Sequence, residues 1–513
     1  SFEALNDVGE RGTRMLIVLN DNEMSISPTV GAMSRYLSRI KLSRTWRGSR
    51  RAYDDTVKRI PHVGPTIHEW SLRLRAAVVD FAQPGRLFED LGITYVGPVD
   101  GHDLAHLERT IQRSFTDMER PVLLHVRTRK GRGYRPAESD KVSFHGAALP
   151  PMAVGKANGG APSDGDATPS VEQRAAAARK PRSYTTVLAE ELVRIGRDDE
   201  RVVAITAGMP TGTGVAKFAT EFPTRTYDVG IAEQHAMTLA TGLALGGMRP
   251  FIALYSTFLQ RAFDQVVHDV CQNDAPVVIG IDRAGLVGED GTSHQGMFTL
   301  ATQRQLPNLL VASPRDEQQL RRLLRTAFSQ SHPMAIHYPR DPGQDLPEVD
   351  PTPVPVGQGE VLREGSDVVL IGFGPILQRG LAVADRLSAE GRSVGVVDAV
   401  WAKPLDRDLV VNAARGARLV VTLEESALPG GFGSGILELL QGEGVGDPAL
   451  RAVPVLRIGI PAARFVDHGA VSDLRHLIGL DVDGIHAQVI DALARLGDGA
   501  PRAGTIEARV PSA

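Results

Sequence analysis

The sequence predicts an α/β protein built as three successive blocks with mainly parallel sheets. Three observations carry this expectation. Apolar runs of strand length alternate with stretches of helical periodicity, the pattern of parallel βαβ units. Residues 150–182, PPMAVGKANGGAPSDGDATPSVEQRAAAARKPR, are rich in Pro, Gly, Ala and charge, which is the composition of a linker. A shorter Pro-rich joint, DLPEVDPTPVPVG, divides the remainder of the chain, and 513 residues are too many for one core. The expected division is 1–149, a linker 150–182, 183–345, 355–498 and a tail 499–513.

In the first block RMLIVL reads as a strand, HEWSLRLRAAVVDFA as a helix and ITYVG as a strand. DLAHLERTIQRSF then reads as a helix and PVLLHVRT as a strand. Residues 37–61 interrupt them with the basic, weakly apolar LSRIKLSRTWRGSRR, read as a solvated insertion rather than a phosphate patch. Ser1 follows no Met, and FEALNDVG resembles the last turns of a helix, so the sequence is expected to start inside a domain. Strands of the second block are RVVAIT, RTYDVGI, PFIALY, PVVIGID and MAIHY. Those of the third are DVVLIGFG, SVGVVDAVW, RLVVTLEE and PVLRIGI.

Composition narrows the function. A net charge of -4 lacks the basic excess of a nucleic-acid binder. Cys271 is the single cysteine, so no disulfide framework exists, and in AFDQVVHDVCQ it reads as a small buried hydrophobe. No apolar run approaches a bilayer span, and a cytoplasmic location is the expectation.

In open parallel sheets ligands bind at the carboxyl ends of strands. Four such ends carry polar residues that packing does not require. LNDNEMSIS, residues 19–27, offers hard oxygen ligands that suit Mg²⁺, although Asn and Asp also end strands by turn chemistry. In YDVGIAEQHAMTLATGLALGG, Glu233 enters a helix of small residues; it either serves the helix dipole or is a working carboxylate needing a partner or a raised pKa. IDRAGLVGEDGTSHQG, residues 281–296, joins Arg283, Glu289, Asp290 and His294 on a glycine-rich loop, a guanidinium for an anion and an Asp–His pair for proton handling. Arg340, in HYPRDPG, is either a surface salt-bridge partner or, beside Arg283, half of an anion clamp. His102 in YVGPVDGHD and the stretch KGRGY are further loop signals after strands, each also readable as a turn.

YDVGIAEQHA, with LNDNEMSIS, YVGPVDGHD, KGRGY, YSTFLQRAFDQVVHDV, DRAGLVGEDGTSHQG, YPR, WAKPLD and GGFGSG, resembles the 1-deoxy-D-xylulose-5-phosphate synthase family of the transketolase superfamily, essentially end to end. The resemblance implies two thiamine-diphosphate-binding folds, the first of them truncated, and a transketolase C-terminal-like domain. It implies thiamine diphosphate and Mg²⁺ as cofactors, pyruvate and glyceraldehyde 3-phosphate as substrates, and a homodimer. Glu233 matches the glutamate that hydrogen-bonds the aminopyrimidine, and Phe258 the aromatic that stacks on it, with Arg261 nearby. Tyr255, Arg283 and Arg340 match groups around the acceptor phosphate, and Asp290 and His294 match residues lining the substrate pocket. Asn22 and the Met24 carbonyl match Mg²⁺ ligands; Tyr134 and His145 match positions near the cofactor or the pocket.

Two stretches depart from the family pattern. TAGMPTGTG stands where many relatives carry MREGSG, and YPRDPG replaces YPRG. The GDG motif whose aspartate completes the family's Mg²⁺ site does not precede Asn22. From that, the chain as given is expected to bind cofactor poorly. Two other readings stand beside the synthase: another transketolase-superfamily enzyme, and a truncated non-catalytic paralogue.

Overall fold

Strand-length apolar runs become strands in a computed structural model that describes residues 2–22, 24, 30, 85–116, 118–141, 144, 181–463 and 465–497. The insertion 37–61, the helix expected at HEWSLRLRAAVVDFA, most of the 150–182 linker and the tail 499–513 lie outside the described residues. The chain divides into two units, Ser1–Met152 and Ala153–Ala513.

In the first unit β1 (Leu16–Asp21), β2 (Thr94–Asp100) and β3 (Val122–Arg127) form a parallel sheet in the order β1-β3-β2. The central strand is the most apolar, and its Leu124 is wholly buried. That is the expected signature of a parallel strand covered on both faces. The helix Leu104–Thr116 follows β2 and leads into β3.

The second unit holds two sheets. β4 (Val202–Thr206), β5 (Thr226–Asp228), β6 (Arg249–Tyr255), β7 (Val278–Asp282), β8 (Leu310–Ala312) and β9 (Met334–His337) are parallel to one another. β10 (Glu360–Arg363), β11 (Val368–Gly372), β12 (Val394–Asp398), β14 (Leu419–Ala427) and β15 (Val455–Ile460) make the other sheet, with only β10 antiparallel. The expected α/β class with mainly parallel sheets is borne out.

SVGVVDAVW is not one strand. Val400 sits at φ 58°, in the left-handed region that β-branched residues avoid, and the chain turns there. The next residues form β13 (Trp401–Lys403), which pairs antiparallel with β8 and completes the order β13-β8-β9-β7-β6-β4-β5. Trp401 is fully buried in the core of the first of these sheets. A second hydrophobic cluster draws Ile252 and Ile279 together with Val369, Ile371 and Val397 from the other sheet. The stretch YSTFLQRAFDQVVHDV leaves β6 through short helical turns and enters a π-helix over Val266–Cys271, with Cys271 buried as expected.

Candidate active site

β6, β7 and β9 lie side by side, and their registers set Tyr255 opposite Asp282 and Ile281 opposite His337. Their carboxyl ends therefore deliver Tyr255, Asp282–Arg283 and Tyr338–Arg340 to one rim. Tyr255 is 7% exposed, and burial pushes its phenol up to about 12. Arg283 adopts φ 60° and lays its guanidinium 3.9 Å from the centre of the Tyr255 ring. Its Nη1 donates to the Gly212 carbonyl at 2.8 Å and lies 2.7 Å from Asp282 Oδ2. Gly212 leaves room for this arrangement, because a Cβ there would sit 2.4 Å from the Tyr255 hydroxyl and would have to displace the ring or the loop.

Asp282 is fully buried, and burial pushes its carboxyl up to about 6 against the pull of Arg283 and of hydrogen bonds. Its Oδ1 accepts from the Arg283 backbone N–H at 2.8 Å, and its Oδ2 from the Thr185 hydroxyl at 3.0 Å. Tyr338 is wholly buried near the same charges, and burial drives its phenol far above the usual range.

Phe258 stacks on Tyr255 with centroids 5.5 Å apart and planes at 14°, and meets His294 edge-on at 5.3 Å. Three rings thus line one wall. The expected Asp–His pair is not formed. Asp290 Oδ2 lies 3.2 Å from Arg340 Nη1, a full positive charge, while His294 Nδ1 faces the Ser293 hydroxyl at 3.0 Å. Nor do the two arginines stand as an open clamp. Arg283 is tied to buried Asp282, while Arg340 holds exposed Asp290 and donates to the Val287 carbonyl at 2.9 Å. Both guanidinium groups still act on the Tyr255 phenol, as do Asp282 and Asp290. The Asp290–Arg340 pair is about one-third exposed on each side, so an incoming anion can exchange with it at little cost.

Glu233 opens the helix Glu233–Leu245 and is 4% exposed. Of the two outcomes expected for a carboxylate there, the structure supplies the partner: Arg261 Nη1 donates to Glu233 Oε2 at 2.8 Å and to the Ile231 carbonyl at 3.0 Å. Arg261 lies three residues beyond Phe258, so one short helical segment serves both the carboxylate and the aromatic wall.

The first unit accounts for its polar strand end residue by residue. Asn20 Oδ1 accepts from the Thr128 hydroxyl at 2.7 Å. Asp21 Oδ2 lies 3.2 Å from Nε2 of buried His125, whose Nδ1 meets the Tyr95 hydroxyl at 2.7 Å. Asn22 is half-buried, and its Oδ1 accepts from the Met24 backbone N–H at 3.0 Å, the turn chemistry by which Asn commonly ends a strand. An amide oxygen keeps a second lone pair, and the Met24 carbonyl is a second hard donor. Two neutral oxygens fit Mg²⁺ when its other ligands are waters or phosphate oxygens. Among the described residues no group of three or more His, Cys, Asp or Glu could hold a metal ion. His102 Nε2 accepts from the Arg129 backbone N–H at 2.8 Å and so ties its loop to the one carrying KGRGY. Tyr134 is 58% exposed with its ring against Phe144, and His145 lies outside the described residues.

Sequence reasoning passed over Asp282, Thr185, Gly212 and Tyr338. The signal for Asp282 was available: an acid closing the apolar strand PVVIGID has to be neutralised by something. Thr185 and Gly212 are about 97 and 70 residues from that acid in sequence, and no local pattern joins them.

Comparison with known proteins adds three family matches and many relatives. The model described as 1-deoxy-D-xylulose-5-phosphate synthase matches residues 1–128, transketolase pyrimidine binding domain residues 180–344, and transketolase C-terminal domain residues 357–485. A 1-deoxy-D-xylulose-5-phosphate synthase of Heliobacterium modesticaldum is 44% identical over 495 residues, covering 96% of this chain and 72% of the relative. The 1-deoxy-D-xylulose-5-phosphate synthase 1 of Geobacter sulfurreducens is 43% identical, with 98% and 75% covered. Among solved structures, a split-gene transketolase in an inactive beta4 tetramer superposes with a TM-score of 0.55 at 32% identity, over 61% of this chain and 99% of that one.

Proposed function

The chain belongs to the 1-deoxy-D-xylulose-5-phosphate synthase family of transketolase-type transferases, and from that premise we propose which of its residues carry the family's reaction. That reaction is the thiamine-diphosphate-dependent decarboxylative condensation of pyruvate with D-glyceraldehyde 3-phosphate, giving 1-deoxy-D-xylulose 5-phosphate and CO2, and it serves isoprenoid biosynthesis.

The observation that carries the assignment is a nearly buried carboxylate, Glu233, held by Arg261 beside the Tyr255–Phe258–His294 wall. A carboxylate fixed in an apolar site fits a hydrogen-bond acceptor for a protonated ring nitrogen, and an aromatic wall fits a heteroaromatic ring. Thiamine diphosphate, when bound, supplies the electron sink that loss of CO2 requires. Glu233 then holds the proton at its Oε atoms, and Phe258 orients the ring. Arg283 and Arg340 receive the acceptor phosphate, the second by exchanging Asp290 for it. Asp290 and His294 stand where the acceptor aldehyde gains a proton as the new bond forms. Asn22 and the Met24 carbonyl are assigned to Mg²⁺, Tyr134 to the cofactor's surroundings, and the chain to a cytoplasmic homodimer. Among the described residues no helix is long and apolar enough to cross a membrane.

The deciding assay supplies pyruvate with D-glyceraldehyde 3-phosphate and, separately, ketose phosphate donors with the same acceptor. CO2 release with 1-deoxy-D-xylulose 5-phosphate as product is the expected result. Turnover of ketose donors alone would favour a transketolase instead. Calorimetry tests the metal assignment: the weak binding of thiamine diphosphate expected of this chain should need Mg²⁺ and be lost after chelation with EDTA. Binding that survives chelation would remove Asn22 and Met24 from the metal site.

A further inference from the structure

We propose that Asp282 is a positioning residue for the acceptor phosphate: it locks Arg283 into the one conformation that presents its guanidinium at the rim. The inference rests on the reading of Arg283 as a phosphate-binding group. Four observations support it. The Asp282 carboxylate is wholly buried at the carboxyl end of β7, where no solvent screens it. It takes both ends of the next residue, accepting from the Arg283 backbone N–H at 2.8 Å and pairing with Arg283 Nη1 at 2.7 Å. Arg283 is held at φ 60°, a backbone state that is unfavourable for a non-glycine residue and persists only where its surroundings enforce it. Finally, Asp282 is itself pinned by the Thr185 hydroxyl from the first turn of the helix Tyr184–Asp198, so the lock does not swing with the loop.

The consequence for binding depends on which nitrogen is engaged. Both contacts to the chain fall on Nη1, to Asp282 and to the Gly212 carbonyl, which leaves the Nη2 edge for a ligand. The Tyr255 ring closes one face of the guanidinium. Arg340 has an exchangeable partner in Asp290, whereas Arg283 has a permanent one. The two arginines therefore differ in the acid that holds them, a buried one for Arg283 and a part-exposed one for Arg340.

The test compares Asp282→Asn with Arg283→Gln in the holoenzyme, using D-glyceraldehyde 3-phosphate and unphosphorylated D-glyceraldehyde as alternative acceptors. Asp282→Asn is expected to raise KM for the phosphorylated acceptor about tenfold, with kcat within about twofold and the KM for glyceraldehyde unchanged. A merely structural role would move both acceptors together, and that result overturns the proposal. So does an unchanged KM in Asp282→Asn when Arg283→Gln raises it. If Arg283→Gln itself leaves the phosphorylated acceptor's KM unchanged, the phosphate reading of Arg283 fails, and the proposal fails with it. Should Asp282→Asn not fold, Thr185→Val removes one anchor of the carboxylate. It should raise the same KM about two- to fivefold, again without affecting glyceraldehyde; no change there counts against the lock.

Discussion

Glu233 shows how one side chain's neighbours decide what it can do. Its carboxylate is nearly out of water, yet Arg261 gives it a charged donor at 2.8 Å, so it remains poised rather than simply buried. Glu233→Gln keeps the shape and removes the proton-holding oxygen. In steady-state assays kcat should fall about 100- to 1,000-fold, with thermal unfolding little changed; an unaltered kcat would take Glu233 out of the chemistry. Gly212 makes a steric claim that can be tested independently. A methyl group there would meet the Tyr255 hydroxyl at 2.4 Å, so Gly212→Ala must push the ring or the loop aside. The expected cost is about 1–3 kcal/mol in denaturant unfolding, together with a raised KM for the phosphorylated acceptor because Arg283 loses its carbonyl and its ring face. A variant as stable and as selective as the parent would show that the loop has room to spare.

Among elements, β13 carries the most weight for its length. Its three residues leave the third sequence block and pair with β8, and Trp401 sits wholly buried in the neighbouring core. Trp401→Ala should lower the stability of the second unit by about 3–5 kcal/mol, read from chemical denaturation followed by circular dichroism; a loss below about 1 kcal/mol would mean that the indole packs little. The sequence announced the strands on either side because their apolar runs are long and regular. It did not announce β13, since three residues are too few for any period and the partner strand is about 90 residues away. The same reasoning covers the site. Glu233, Arg283 and His294 were legible because each is polar at a strand or helix end. The Asp290–Arg340 pair was not, because proximity across 50 residues comes from the sheet order β7-β9 rather than from local pattern. The π-helix at Val266–Cys271 was invisible for a third reason: an apolar stripe at helical spacing tolerates one wider turn without losing its face.

For the molecule as a whole, one buried imidazole gives stability a pH signature. His337 ends β9, is 4% exposed and meets Gln303 Oε1 at 2.7 Å; burial pushes its pKa down to about 3. The unfolded chain binds a proton near pH 6.5 that the folded chain refuses. Stability is therefore complete above about pH 6.5 and falls as the pH drops below it, by about 2 kcal/mol between pH 6.5 and 5. Unfolding curves collected across that window should show the decline, and His337→Asn should flatten it by about that amount. A parallel decline in the variant would assign it to other groups. The placement of β13 also sets a practical limit on dividing the polypeptide. A gene fragment ending in the Pro-rich joint near residue 350 would strip β8 of its outer neighbour and leave a row of bare N–H and C=O groups beside a hydrophobic hole where Trp401 belongs. Such an edge recruits other copies of itself, so the fragment should sediment as polydisperse aggregates.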